Sequence, residues 1–300
     1  MKTPRLIIIV GIIILVLYLL SLFWFCCLKN YTTQNDKMIL SQTPSVIPLN
    51  IFQTWHTKDL PPYMKKCVQS IQDCNPEFKH FLYDDQECRD FISRNFDIDV
   101  LYAYDSLIPG AYKADLWRYC VLYKYGGIYI DIKYQCANGF KLIQLTDQEY
   151  YVKDREQNRN GIYNAFMVCK AGEQIMEKCI NRVVENVRNR FYGKSALDIT
   201  GPNMMTSLFT NNELKQFVIL YLHNNGKDIV YNRQSPEQAK LAEDLVVKRH
   251  SAPCQRAESL PTTKLGTVIL SAYPEYRIEQ KQYQKTLYYD DLWKKREVYV

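Results

Sequence analysis

Leu6 to Leu28 runs 23 residues without a charge or a proline, and Gly11 and Ser21 are its only small or weakly polar interruptions. A helix of that length spans about 34 Å, enough for a hydrocarbon core of about 30 Å. The rest of the chain is polar enough to fold in water, so this run divides the sequence between two media. A cleaved signal peptide would need an apolar core of roughly 7 to 15 residues and a small-residue cutting site. Here Phe23, Trp24 and Phe25 stand where the small residues would be required. Residues 6–28 therefore read as an uncleaved signal anchor. Lys2 and Arg5 precede it and only Lys29 closely follows, so the positive-inside bias puts residues 1–5 in the cytosol. The expectation is a single-pass type II membrane protein with its bulk in a Golgi- or ER-like lumen or outside the cell. Trp24 and Phe25 suit an interfacial aromatic belt; Cys26 and Cys27 are either acylated or apolar helix residues.

Lys and Arg number 38 against 32 Asp and Glu, a formal charge of +6. Lys2 and Arg5 supply two of those positive charges, leaving +4 for everything beyond the anchor. That balance, with no block of five like charges, argues against a nucleic-acid partner. Eight cysteines follow the anchor: Cys67, Cys74, Cys88, Cys120, Cys136, Cys169, Cys179 and Cys254. A luminal compartment permits disulfides, but no pair of C-x-x-C units marks a structural zinc site, and spacing alone does not give a pairing. Asn30-Tyr31-Thr32 is an N-x-S/T sequon set against the membrane.

Residues 29–46 lack a sustained apolar period and read as a stem. From Ile47 to residue 300, short apolar runs alternate with helical stretches, the pattern of an α/β layered domain. Ile47–Phe52 reads as a strand, a helix starts at Pro62, and Phe78–Tyr83 reads as a second strand. Asp84 or Asp85 is placed to cap a helix running to about Asn95. A stronger helix runs from Pro109 or Tyr112 to Tyr125, Gly126-Gly127 stops it, and Ile128–Tyr134 reads as a strand. Asn164–Val168 reads as a strand with Asn164 at its mouth, and Glu173–Arg190 as an amphipathic packing helix.

The richest stretch is Ala114-Asp115-Leu116-Trp117-Arg118-Tyr119 leading to Gly126-Gly127-Ile128-Tyr129-Ile130-Asp131-Ile132-Lys133. Asp115 and Arg118 are i and i+3 on the helix, so they either pair at the surface or jointly contact one ligand. Period-2 alternation turns Tyr129, Asp131 and Lys133 to one face of the strand. Carboxyl ends of strands in open α/β sheets border the ligand crevice, which makes these polar groups candidates for holding a polyanionic or polyhydroxylated ligand.

The run A-x-x-x-A-D-x-x-R-Y-x-x-L-Y-x-x-G-G-I-Y-x-D-I closely resembles the DXD-containing glycosyltransferases of family 32, which include yeast-type mannosyltransferases and capsular sugar transferases. Ile47-Pro48-Leu49-Asn50-Ile51-Phe52-Gln53-Thr54-Trp55 looks like that family's first strand, and Thr200-Gly201-Pro202 like its later turn. The resemblance implies a GT-A fold: a Rossmann-like, nucleotide-binding mixed sheet flanked by helices, here behind the transmembrane anchor. It implies a retaining hexosyltransferase moving a sugar, preferably mannose, from a GDP- or UDP-hexose to a glycan or glycolipid. By the same resemblance, Phe52, Gln53 and Trp55 would line the nucleoside pocket, Trp55 by stacking on the base or as core support. Asp115 and Arg118 would bind donor-sugar hydroxyls, and Asp131 would lie near the ribose and the metal-diphosphate. The rival is a membrane-tethered nucleotide-sugar or glycan-binding protein without turnover.

The match fails at the second DXD position, where Lys133 replaces a carboxylate that would ligate Mn²⁺ or Mg²⁺. Lys133 either compensates diphosphate charge itself, or points to solvent while Asp131 recruits a metal through water. A late histidine of the family pattern would fall near Tyr288; His250 is a poor substitute. Asp198 either holds acceptor hydroxyls or caps the helix at Pro202.

Overall fold

The computed structural model describes residues 45–154, 161–224, 227–231 and 266–300. The tail, anchor and most of the stem, with Cys26, Cys27 and Asn30, lie outside them, as do His250 and Cys254. Among the described residues no helix is long and apolar enough to cross a membrane. Ser45–Val300 forms one compact unit. Its first residues are already tied in, since the backbone N–H groups of Val46 and Ile47 both donate to the Thr146 carbonyl, at 2.8 and 3.0 Å.

Nine strands make one mixed sheet: β1 (Asn50–Thr54), β2 (Lys79–Tyr83), β3 (Gly127–Ile130), β4 (Tyr134–Cys136), β5 (Tyr150–Lys153), β6 (Ile162–Cys169), β7 (Val218–His223), β8 (Asp228–Tyr231) and β9 (Thr267–Ala272). Their spatial order is β2-β1-β3-β6-β5-β7-β8-β9-β4. β1 runs parallel to both β2 and β3, whereas β6 is antiparallel to β3. The helices are α1 (Pro62–Cys74), α2 (Asp85–Asn95), α3 (Ile98–Ser106), α4 (Gly110–Tyr125), α5 (Gln174–Arg188), α6 (Pro202–Thr206), α7 (Asn211–Phe217), α8 (Tyr276–Tyr283) and α9 (Tyr289–Lys294).

Strand alternation sorts the side chains into two cores. Phe52, Tyr129, Tyr151 and Met167 face the helices α2 to α6, where Leu116, Trp117, Val121 and Val183 meet them. Ile51, Ile128, Ile130, Phe166 and Val168 face the other way, onto Ile71 and Cys74 of α1 and onto Phe140, Leu142 and Leu145. Asp84 caps α2 as the sequence suggests: its carboxylate accepts the Glu87 N–H at 2.9 Å, and Glu87 returns the bond to the Asp84 N–H. Cys67, Cys88, Cys120, Cys169 and Cys179 are buried thiols outside any disulfide.

One expectation is corrected. The strand read over Ile128–Tyr134 ends at Ile130, and the Tyr134 N–H closes a turn onto the Asp131 carbonyl at 3.1 Å. The chain then leaves for the far edge of the sheet, where β4 pairs with β9. Asp131 and Lys133 thus share a turn, not a strand face.

Candidate active site

Helix α4 carries the first half of the site. Leu122 and other good helix formers fill it, and Gly126, with φ of 61°, ends it by placing its N–H on the Leu122 carbonyl. Every residue from Asp115 to Leu122 is buried, because α4 lies between the sheet and the remaining helices. A charged pair in such a place must be satisfied internally. Arg118 lies 3.3 Å from Asp115 and 3.5 Å from Asp131, donates to the Asn164 carbonyl at 2.8 Å, and sits 4.3 Å from the centroid of the Tyr129 ring. It therefore joins the helix carboxylate to the turn carboxylate.

The turn carries the second half. Asp131 Oδ1 accepts from the Tyr129 hydroxyl at 2.9 Å, and Oδ2 accepts from Lys133 Nζ at 2.6 Å. Around the Lys133 ammonium stand the rings of Tyr134, Tyr163 and Tyr276, with centroids 5.2, 5.4 and 5.3 Å away. Lys133 is only 8% exposed, so it does not point to solvent. Burial works to raise the Asp131 pKa, but Lys133 and then Arg118 outweigh it and hold the carboxyl below its ordinary value. Burial likewise opposes the charge on Lys133, and the neighbouring Asp131 more than restores it.

Asp115 is braced from three elements. Oδ1 accepts from the Asn164 amide at 2.9 Å, and Oδ2 from the Thr200 hydroxyl at 2.7 Å. Tyr119 Oη accepts from the same Asn164 amide and donates to the Thr200 carbonyl, each at 2.8 Å. Thr200-Gly201-Pro202 is consequently the clamp on the helix carboxylate, and a Cβ on Gly201 would come within 3.5 Å of Asp115 Oδ2. Burial foremost pushes the Asp115 carboxyl up to about 6, against the pull of Arg118 and the Thr200 hydrogen bond. Between about pH 4 and 6 the folded protein thus keeps a proton that the unfolded chain has lost. This contribution to stability is full in acid and disappears as pH rises through 6. Thermal melts across that range are expected to fall with pH more steeply for the wild type than for Asp115→Asn; equal slopes would refute the assignment.

The remaining candidates lie elsewhere. Gln53 and Trp55 share one side of β1 and its exit, and neither Gln53 Nε2 nor Trp55 Nε1 has a hydrogen-bond partner among the described residues. Trp55 and Tyr276 both pack against the apolar cluster that includes Ile132, which brings Trp55 toward the Lys133 turn. Gln53 Oε1 accepts from His80 Nε2 at 2.7 Å, while burial pushes the His80 pKa down to about 4 and keeps the ring neutral. Phe52 does not join them. Alternation turns its ring to the opposite face, 1% exposed and stacked on Phe81 at 5.3 Å, so it belongs to the core and not to a nucleoside pocket. Asp198 does not cap the helix at Pro202, where Gly201 is the N-cap residue. It accepts the backbone N–H groups of Lys194 and Ser195 at 2.7 and 3.0 Å and the Asn203 amide at 2.8 Å, tying down its own loop.

Sequence reasoning missed Tyr163, Tyr276 and Arg277. Their sole local signal is the aromatic-basic doublet Tyr276-Arg277, which gives no hint that it closes over residue 133. Arg277 lies 5.4 and 5.5 Å from the ring centroids of Tyr276 and Tyr288.

The residues do not fit the divalent ion that the family resemblance implies. Both Asp131 oxygens are engaged, the second DXD position is an ammonium, and an ammonium cannot ligate a cation. Among the described residues no group of three His, Cys, Asp or Glu side chains could hold a metal ion. At Tyr288, where a histidine would be expected, the ring faces Arg277 instead.

Residues 61–152 match the glycosyltransferase sugar-binding region containing the DXD motif, and they include Asp115, Arg118, Asp131 and Lys133. Over that segment the chain is similar to the DXD-containing glycosyltransferases. It is 37% identical over 173 residues to inositol phosphoceramide mannosyltransferase 3 of Schizosaccharomyces pombe, covering 57% of this chain and 47% of that protein. It is 36% identical over 123 residues to the initiation-specific alpha-1,6-mannosyltransferase of Candida albicans, covering 38% and 31%. The chain thus spans at most about half the length of these relatives. Against the solved PaToxG glycosyltransferase it aligns over 63% of its length and 78% of that chain, at 16% identity and a TM-score of 0.42.

Proposed function

We propose that the described domain is a retaining hexosyltransferase that moves mannose from a nucleotide-sugar to a glycolipid headgroup. The observation that carries this reading is the single buried network of Asp115, Arg118 and Asp131 beside the exits of the parallel strands β1 and β3, within the segment that matches the sugar-binding region. Asp115 Oδ1 is shared by Asn164 and Arg118, while Oδ2 uses one acceptor direction for Thr200 and has another to offer a sugar hydroxyl. Arg118 is fixed by two carboxylates and a ring, so it meets a donor sugar without losing further rotamer freedom. Catalysis is then alignment of donor and acceptor together with stabilisation of the leaving diphosphate. Gln53 and Trp55, with their unpartnered N–H groups, are the candidates for contact with the nucleoside.

Two relatives support the choice of sugar and acceptor by name, one an inositol phosphoceramide mannosyltransferase and another a mannosyl phosphorylinositol ceramide synthase of Saccharomyces cerevisiae, SUR1 (35% identical over 95 residues, 31% of this chain and 24% of that protein). An anchor at residues 6–28 would hold a luminal domain beside such an acceptor, and the GT-A arrangement of the sheet belongs to the same proposal. The test is a screen of UDP- and GDP-sugars with a panel of phosphoinositol lipids and oligomannosides. Mannose transfer from one nucleotide donor is expected. Donor binding without transfer or hydrolysis across the whole panel would instead favour a binding protein, the reading that Lys133 in the second DXD position keeps in play.

A further inference from the structure

We propose that the donor diphosphate is received by Arg277 and Lys133, protein cations standing where the family pattern would use a divalent ion; this rests on the transferase reading above. Asp115 and Asp131 are balanced by Arg118 and Lys133, so the buried network is neutral before any donor arrives. A diphosphate entering this poorly solvated place needs positive charge that is not already spent. Arg277 meets that need: it is in none of the ion pairs among the described residues, and it donates from Nη1 to the neutral Gln280 Oε1 at 2.8 Å. It shares the Tyr276 ring with Lys133, the ring centroid lying 5.4 Å from its guanidinium carbon and 5.3 Å from Lys133 Nζ. The Tyr276 and Tyr288 rings lie beside the guanidinium and claim none of its N–H donors as carboxylates would, and a guanidinium has five donors, of which Gln280 takes one, to offer phosphate oxygens. Lys133 spends one of its three N–H donors on Asp131, and the others remain for an anion.

The arrangement also explains why two departures from the family pattern occur together. Lys133 replaces the second carboxylate, and Tyr288 stands where the late histidine would be. Both touch the same small cluster, one through the Tyr276 ring and one through Arg277 itself. A cationic pair that substitutes for a metal requires both losses, because carboxylate or imidazole ligands left in place would have nothing to bind.

Titration of the purified full chain with GDP and with UDP, in excess EDTA and in excess Mn²⁺, tests this directly by calorimetry. The nucleotide that binds is expected to do so with affinities within about twofold of each other in the two conditions. Arg277→Gln, a change on the exposed side of α8, is expected to weaken that nucleoside diphosphate about tenfold or more while leaving the nucleoside alone unaffected. Binding lost in EDTA and restored by Mn²⁺ would overturn the inference and leave the transferase reading standing. An equal loss of nucleoside and nucleoside diphosphate affinity in Arg277→Gln would overturn it too. Absence of binding by either nucleotide in both conditions would overturn the transferase reading as well.

Discussion

Asp131→Ala is expected to abolish sugar transfer, with a loss well over a hundredfold, and to lower folding stability by about 3–5 kcal/mol. The two effects have different origins. Asp131 is the counter-ion of Lys133 at 2.6 Å and a second carboxylate partner for Arg118 at 3.5 Å, and all three side chains are largely shielded from water. Removing it leaves the Lys133 ammonium enclosed by three tyrosine rings with no anion, and rings alone return little of the lost solvation. The stability loss should be largely repaired in Asp131→Ala/Lys133→Met, which removes both charges and keeps an unbranched apolar chain among the rings. The activity should not return. Denaturant melts and transfer assays on the three proteins check this, and a single variant as stable as the wild type would mean that the network does not exist as described.

Gly127→Ala is expected to cost at least about 3 kcal/mol, or to prevent folding altogether. Gly127 has φ of 122°, a region closed to residues with a Cβ, and an added Cβ would lie 2.5 Å from the Asn50 carbonyl oxygen. That oxygen belongs to β1, the strand that pairs with β3, so relief of the clash must push the two strands apart. Asp131 begins the turn at the end of β3 and would move with it. Two readouts should therefore fail together: the cooperative melt, and nucleotide binding in whatever fraction of the protein still folds. A variant with a normal melting temperature would contradict the close approach of β3 to β1.

Much of this was legible before any coordinates. The helix Gly110–Tyr125, its glycine stop and the Asp84 cap follow from local rules, because caps and apolar periodicity act within one turn of the chain. Asp115 with Arg118 could be paired on helical spacing alone. What local rules do not carry is the partner from another element. Asn164 was expected at the mouth of a strand and Thr200 in a turn, but that both donate to Asp115 depends on how three elements dock. The strand pattern through Lys133 breaks at Ile130 for the same reason. Ile128, Ile130 and Ile132 keep a perfect period of two, yet Ile132 packs with Met64 and Tyr273 in a separate cluster, and the tertiary gain there outweighs continuing the strand. Phe52 illustrates the converse: alternation along β1 turns it and Gln53 to opposite faces, whereas the family resemblance groups them together.

The order of the closing groups along the chain has a consequence for how the protein is made. A nascent chain extended to Lys133 already holds all four charges of the network, but Asn164, Thr200 and Tyr276 come later, the last after a further long stretch of sequence. Until those segments dock, the charges keep their water, since nothing encloses them. Drying of the site is thus expected late in folding and outside its nucleus, which folding rates of Asp115→Asn close to those of the wild type would check. Substitutions confined to the charge network should act mainly on how fast the finished protein opens, while the two apolar cores set how fast it first collapses.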